Sequence, residues 1–138
     1  MPRKYDTISI VIQRLAALQV RFYQTSSGNE PVREFLSQLS KDDKKVIGED
    51  IKTVQFGYPI GMPLTRKFEN SRKLEEIRCS ISDKRIVRII FFAEDGFIIL
   101  LSAFVKKSQK TPPQEINLAE KRFREMHQTS DRRKRLPT

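Results

Sequence analysis

Few of the residues that familiar catalytic chemistry needs are present here. Cys79 is the only cysteine, so no intramolecular disulfide can form, and a reducing, cytoplasmic compartment is the natural setting. On the core side of a strand such a thiol acts as a small hydrophobe rather than a nucleophile. His127 is the only histidine, which excludes histidine clusters and any two-histidine metal site. A surface position late in a helix is expected for it. There is no Gly-rich phosphate loop, no zinc-ligand spacing and no Ser/His/Asp set. Carboxylates are scattered, whereas a metal-dependent nuclease wants several around its ion. No metal and no cofactor are therefore expected. No apolar run approaches the roughly 18 residues that span a membrane. Gln13 and Arg14 interrupt the apolar stretch from Ile8 to Leu18, which argues against a secretory signal.

What the chain has is positive charge. Lys and Arg number 27 against 17 Asp and Glu, for a formal net charge of +10 in 138 residues. That length suits one modest domain with one core. The charge balance favours fast association with polyanions, so nucleic acid or the ribosome heads the list of partners.

The most informative stretch runs from Leu74 to Pro113. Leu74–Ile81, Arg85–Ala93 and Phe97–Val105 read as three strands. Ser82-Asp83-Lys84 turns the chain once, and Asp95-Gly96 supplies a hairpin turn. Alternation sends Ile77, Cys79 and Ile81 to one face and Glu76, Arg78 and Ser80 to the other. Arg88 interrupts a β-branched run, where it must snorkel or meet an anion. Lys106, Lys107 and Lys110 follow the third strand. Guanidinium and ammonium groups gathered on one sheet face suggest a phosphate-binding surface.

Around this stretch, the first residues 1–19 read either as a short amphipathic helix through Ile8, Val11, Ile12 and Leu15 or as a poorly ordered extension. Val20–Gln24 alternates and reads as a first strand. Asn29 as cap and Pro31 in the first turn open a helix with Val32, Phe35, Leu36 and Leu39 on one stripe. Ser40, with Asp43 three residues on, opens a second helix through Val46, Ile47, Ile51 and Val54. Gly57-Tyr58-Pro59 ends it. Ile60–Lys73 reads as a loop. Thr111 as N-cap and Pro112 as first helical residue begin a last helix through Ile116, Ala119, Phe123 and Met126. The domain is expected over 20–127, with 128–138 a basic, disordered tail. The order β-α-α-β-β-β-α implies an α+β fold: a small, mainly antiparallel sheet of about four strands, with a helical hairpin and a C-terminal helix.

Cations without metal ligands suit RNA cleavage in which the RNA's own 2′-OH attacks the adjacent phosphate. The protein then only holds the nucleotide in line and stabilises extra charge on the phosphorane. Lys67 is the loop cation nearest the Arg78 strand and an extra phosphate contact. Arg66 and Arg72 read as solvated, and Arg85 points opposite to Arg88. Glu76 reads as the partner of a structural ion pair.

Glu76-Ile77-Arg78, Val87-Arg88-Ile89-Ile90-Phe91-Phe92 and Ser102–Pro112 resemble the phage-derived Gp49-like group of the RelE/ParE toxin superfamily, often called HigB-like. The run Phe104-Val105-Lys106-Lys107-Ser108-Gln109-Lys110-Thr111-Pro112 is its most specific part, and the resemblance covers about Val20 to Met126. It implies a RelE-like fold and a ribosome-dependent endoribonuclease that cuts mRNA in the A site of the small subunit. It implies a helix-turn-helix, HigA-like antitoxin as partner. It also implies a bacterial or phage-derived source. By the same resemblance Arg78 meets the scissile phosphate, Arg88 is a second clamp, and Lys106 acts in proton transfer. Lys107 and Lys110 then bind RNA. The chain departs from the pattern at Ser102, where many relatives carry His, and at Phe91, where an aromatic hydroxyl is frequent. A ParE-like gyrase inhibitor and a non-enzymatic basic RNA- or partner-binding module remain as alternatives.

Overall fold

Local turn chemistry and two periodicities build most of the molecule. The computed structural model describes residues 17–69, 71, 73–106 and 110–135, with side chains through 128. The elements are β1 (Gln19–Phe22), α1 (Pro31–Ser37), α2 (Lys41–Gly57), β2 (Thr65–Lys67), β3 (Glu75–Ser80), β4 (Ile86–Glu94), β5 (Phe97–Val105) and α3 (Pro113–Arg135). Both tight turns carry the positive φ that joins twisted antiparallel strands. Asp95 and Gly96 have φ of 52° and 83°, and Asp83 and Lys84 have 59° and 57°.

The fold is α+β, with a larger and more mixed sheet than expected. Five strands run in the order β1-β5-β4-β3-β2. β1 lies parallel to β5, from Gln19 opposite Phe97 to Phe22 opposite Leu100. The other pairs are antiparallel. A parallel pair needs a long crossover, and everything from α1 through β4 provides it. The fifth strand, β2, lies within the stretch read as a loop. It is three residues long and has no alternation of its own to reveal it.

The helices take opposite faces. Val32, Ile47 and Val54 of α1 and α2 pack on Ile77, Cys79, Val87, Ile89, Phe91, Ile98 and Leu100. Each fully buried side chain of this size contributes about 1.5–3 kcal/mol. Ala119 of α3 packs with Leu74, Ile90, Phe92, Ile99 and Leu101 on the second face, flanked by Ile116, Phe123 and Met126 as the helical spacing indicates. The register slips between Ile90 and Phe91, so Leu101 and Ser102 are both buried. Polar contacts fasten α3 along its length. Arg122 Nη1 donates to the Leu101 carbonyl at 2.6 Å, and the Tyr23 hydroxyl donates to Glu125. His127 Nε2 lies 2.9 Å from Glu94, so the lone histidine bridges helix and sheet and is half-buried rather than simply on the surface.

Four further expectations change. Glu30, not Asn29, is the N-cap of α1, and its side chain makes no capping bond. The α3 backbone continues through Arg135, so the segment from 128 expected to be disordered is helical as far as that residue. α3 begins at Pro113, not Pro112, and Thr111 has other partners, described below. Val46, expected in the apolar face of α2, is 37% exposed. It sits one residue off the Ile47–Ile51–Val54 stripe, beyond the margin of the buried arc. Ser40 does cap α2, accepting the Asp43 N–H at 3.2 Å. The proposed N-terminal helix falls largely on 1–16, outside the described residues. So do Arg72 and Lys107.

Candidate functional site

On the α3 side of the sheet, two rows of side chains run across the strands. Arg78 is directly opposite Arg88, which is opposite Phe104. One row over, Arg66 is opposite Glu76, Glu76 opposite Ile90, and Ile90 opposite Ser102. Directly opposed residues share a face, so Arg66, Arg78 and Arg88 surround Glu76. Lys106 joins them, because its N–H donates to the Ile86 carbonyl at 2.7 Å and continues the sheet past β5. Four cations thus meet one carboxylate.

Within the group the roles differ. Arg88 and Glu76 are both buried and form an ion pair at 3.2 Å. Arg88 Nη1 also donates to the Thr111 hydroxyl at 2.8 Å, and that hydroxyl donates to Glu76. Arg88 is therefore a strut beneath the face, not the accessible second clamp the sequence suggested. Thr111 ties the lysine segment onto it instead of capping α3. Arg78 is half-buried, at the surface of the same row.

The electrostatics record the crowding. Burial, and then the Arg88 and Arg78 charges, hold the Lys106 amine below its ordinary range, with Glu76 opposing. Burial also lowers Arg88, which Glu76 counters and Arg78 and Arg66 reinforce. The group is one coupled field, and an anion entering it would relieve repulsion.

One lysine stands apart from this face. Lys67 is opposite Glu75, whose carboxylate accepts the Tyr58 hydroxyl on the α2 side of the sheet. Lys67 therefore points away from Arg78, and Arg66 takes the place assigned to it. Lys110 is exposed, one residue before Thr111. The clue to Arg66 was available: Arg66-Lys67 and Glu75-Glu76 are complementary when laid antiparallel. Arg85 faces the other way, as read, and pairs with Asp43 at 3.1 Å.

Ser102 is buried and donates to Glu115 Oε2 at 2.8 Å. It therefore locks α3 to the sheet. Burial pushes the Cys79 thiol well above its usual range, which leaves it no nucleophilic character. Among the described residues no group of three or more His, Cys, Asp or Glu is placed to hold a metal ion. No helix among them is long and apolar enough to cross a membrane.

Fold and site together define a small α+β protein with a cation-rich face on its sheet. The chain belongs to the family described as phage-derived protein Gp49-like (DUF891), whose model matches residues 34–124. That match spans the later part of α1, all of α2, β2 to β5 and the first half of α3. No curated protein matches the chain.

Proposed function

We propose that this protein is the toxin of a toxin–antitoxin pair, a metal-independent endoribonuclease acting on mRNA in the ribosomal A site. The observation that carries the reading is the gathering of Arg66, Arg78, Arg88 and Lys106 around the single carboxylate of Glu76. Its excess positive charge is matched to a phosphate that gains charge in the transition state. In the proposed step the 2′-oxygen of the RNA attacks the adjacent phosphorus, and the bond to the 5′-oxygen breaks. A 2′,3′-cyclic phosphate and a 5′-hydroxyl result. Arg78 and Arg66 hold the non-bridging oxygens, and the Arg88–Glu76 strut keeps them in register. Lys106, its amine held below the ordinary lysine range by burial, is the group best suited to exchange a proton. Kinship with the Gp49-like family supports the toxin reading and, through it, a helix-turn-helix antitoxin.

Primer extension on a message under translation tests this. Cuts within codons that need both protein and ribosomes, and that disappear with Arg78→Ala, are expected. Intact message in every reaction would overturn the reading.

A second reading keeps the face but not the cleavage: a basic module that docks on RNA or a partner. The engagement of Ser102 by Glu115 favours it, since the position where relatives carry His offers no proton acceptor to a substrate. Binding without cleavage in the same assay would select it. Linearised, gyrase-bound DNA would instead select gyrase inhibition.

A further inference from the structure

β2 covers β3 only from Glu75 to Ile77, and the Leu64 carbonyl adds one bond, to the Arg78 N–H, at 2.9 Å. Past that point a cleft of about 380 Å³ opens between the sheet edge and α2. Its size falls within the about 300–1,000 Å³ usual for small-molecule sites. Val46 and Asp50 line it from α2, one helical turn apart, with Pro63 and Leu64 from the preceding loop and Arg78 and Ile86 from the sheet.

The lining has two characters. Val46, Pro63, Leu64 and Ile86 offer apolar walls. Asp50 and Arg78 set an acid and a base in one cleft without an ion pair between them, and the partner of Asp50 is the Cys79 thiol. Arg78 also belongs to the cation face, so the cleft and that face share a residue. We propose that this cleft seats the base of the nucleotide whose phosphate meets Arg78, and that Asp50 selects guanine. The proposal rests on reading the cation face as a ribose-phosphate site.

The chemistry of the four bases makes the choice. A carboxylate accepts two parallel N–H bonds. Guanine alone presents two adjacent donors, N1–H and N2–H, on its Watson–Crick edge. Adenine and cytosine pair one donor with a ring nitrogen that repels the carboxylate, and uracil flanks its one donor with two carbonyls. A simple amine or metal cation would also suit Asp50, but Arg78, the cation that lines the same cleft, disfavours it. A neutral base carrying a phosphate satisfies both ends. Burial holds the Asp50 carboxyl above its usual range, so two donors would recover hydrogen bonds it has lost to desolvation.

Binding can be measured without cleavage. Calorimetry and amide chemical shifts would follow titration with the 5′-monophosphates of guanosine, adenosine, cytidine and uridine, with guanosine, and with inorganic phosphate. We expect the guanosine nucleotide to bind at least about tenfold more tightly than the other three, shifting the amides of Val46, Asp50 and Leu64. Asp50→Asn should erase the preference. Val46→Trp should do so too, by filling the cleft from an exposed position that folding tolerates. Equal affinity for all four, or a preference that survives both variants, overturns the proposal. Inorganic phosphate binding without base preference removes the guanine site and keeps the cation face. Guanosine binding that depends on Asp50, with no phosphate binding, keeps the cleft and removes the phosphate reading.

Discussion

Arg85 and Arg88 stand three residues apart, and each meets a buried carboxylate at nearly the same distance, 3.1 and 3.2 Å. Their surroundings differ. Asp43 also accepts the Ser82 N–H and the Ser82 hydroxyl, each at 3.0 Å. Its acceptors are matched, and α2 is pinned to the β3–β4 turn. Glu76 instead faces Arg66, Arg78 and Lys106 as well as Arg88. Its charge is outnumbered. An ion pair's length therefore says little about function, and the balance of charge around it says more.

The largest expected effect separates the two arginines directly. Arg88→Met leaves Glu76 buried without its ion pair and should cost about 3–5 kcal/mol. Arg85→Met removes a partner whose side chain is 40% exposed and should cost no more than about 1 kcal/mol. Urea unfolding of both variants measures the gap, and similar costs would break the comparison.

Next in size is activity. Arg78→Ala should reduce cleavage about 100-fold or more while urea unfolding moves little, because Arg78 is only half-buried. Equal losses of stability and activity would make Arg78 another strut. Arg66→Ala sharpens the same point at a smaller scale. It should lower the dependence of log affinity on log salt by about 0.7 for single-stranded RNA. Lys67→Ala, on the opposite face, should leave that slope almost unchanged.

The smallest effect is in acid. The Ser82 N–H above all, then Ser82 and Ser40 side chains and Arg85, hold the Asp43 carboxyl below its usual range. Near and below the ordinary carboxylate value of about 3.9 the unfolded chain binds the proton more readily. The contribution of Asp43 is therefore complete above that value and is lost as pH falls through its folded pKa. Wild-type stability should fall more steeply there than that of Asp43→Asn. Parallel curves would mean that the turn is held by other contacts.

Much of the fold was legible because it is local. The three long strands, both turns, the Ser40 cap and the helical stripes through Ile47 and Phe123 each follow from spacing within a few residues. Arg78 was legible for the same reason, by alternation within β3. Arg88 was legible as an anomaly but not as a strut, because Glu76 lies 12 residues away and Thr111 lies 23 away. Arg66 was passed over because β2 exists only by pairing with β3. Asp50 gave no signal, since an acid on a helix reads as solvated until a sheet edge faces it, and Val46 read as core because spacing alone could not show it at the margin of the buried arc.

The sequence by itself determined the strand and helix periods, the turn positions, the surplus of cations and the absence of metal-ligand spacing. Tertiary structure alone decided the parallel place of β1, the recruitment of β2, which arginine became buried and which carboxylate met it. The reason is physical: alternation sets the face on which a side chain lies, while register between strands distant in sequence sets its neighbours. Charged groups take their roles from those neighbours.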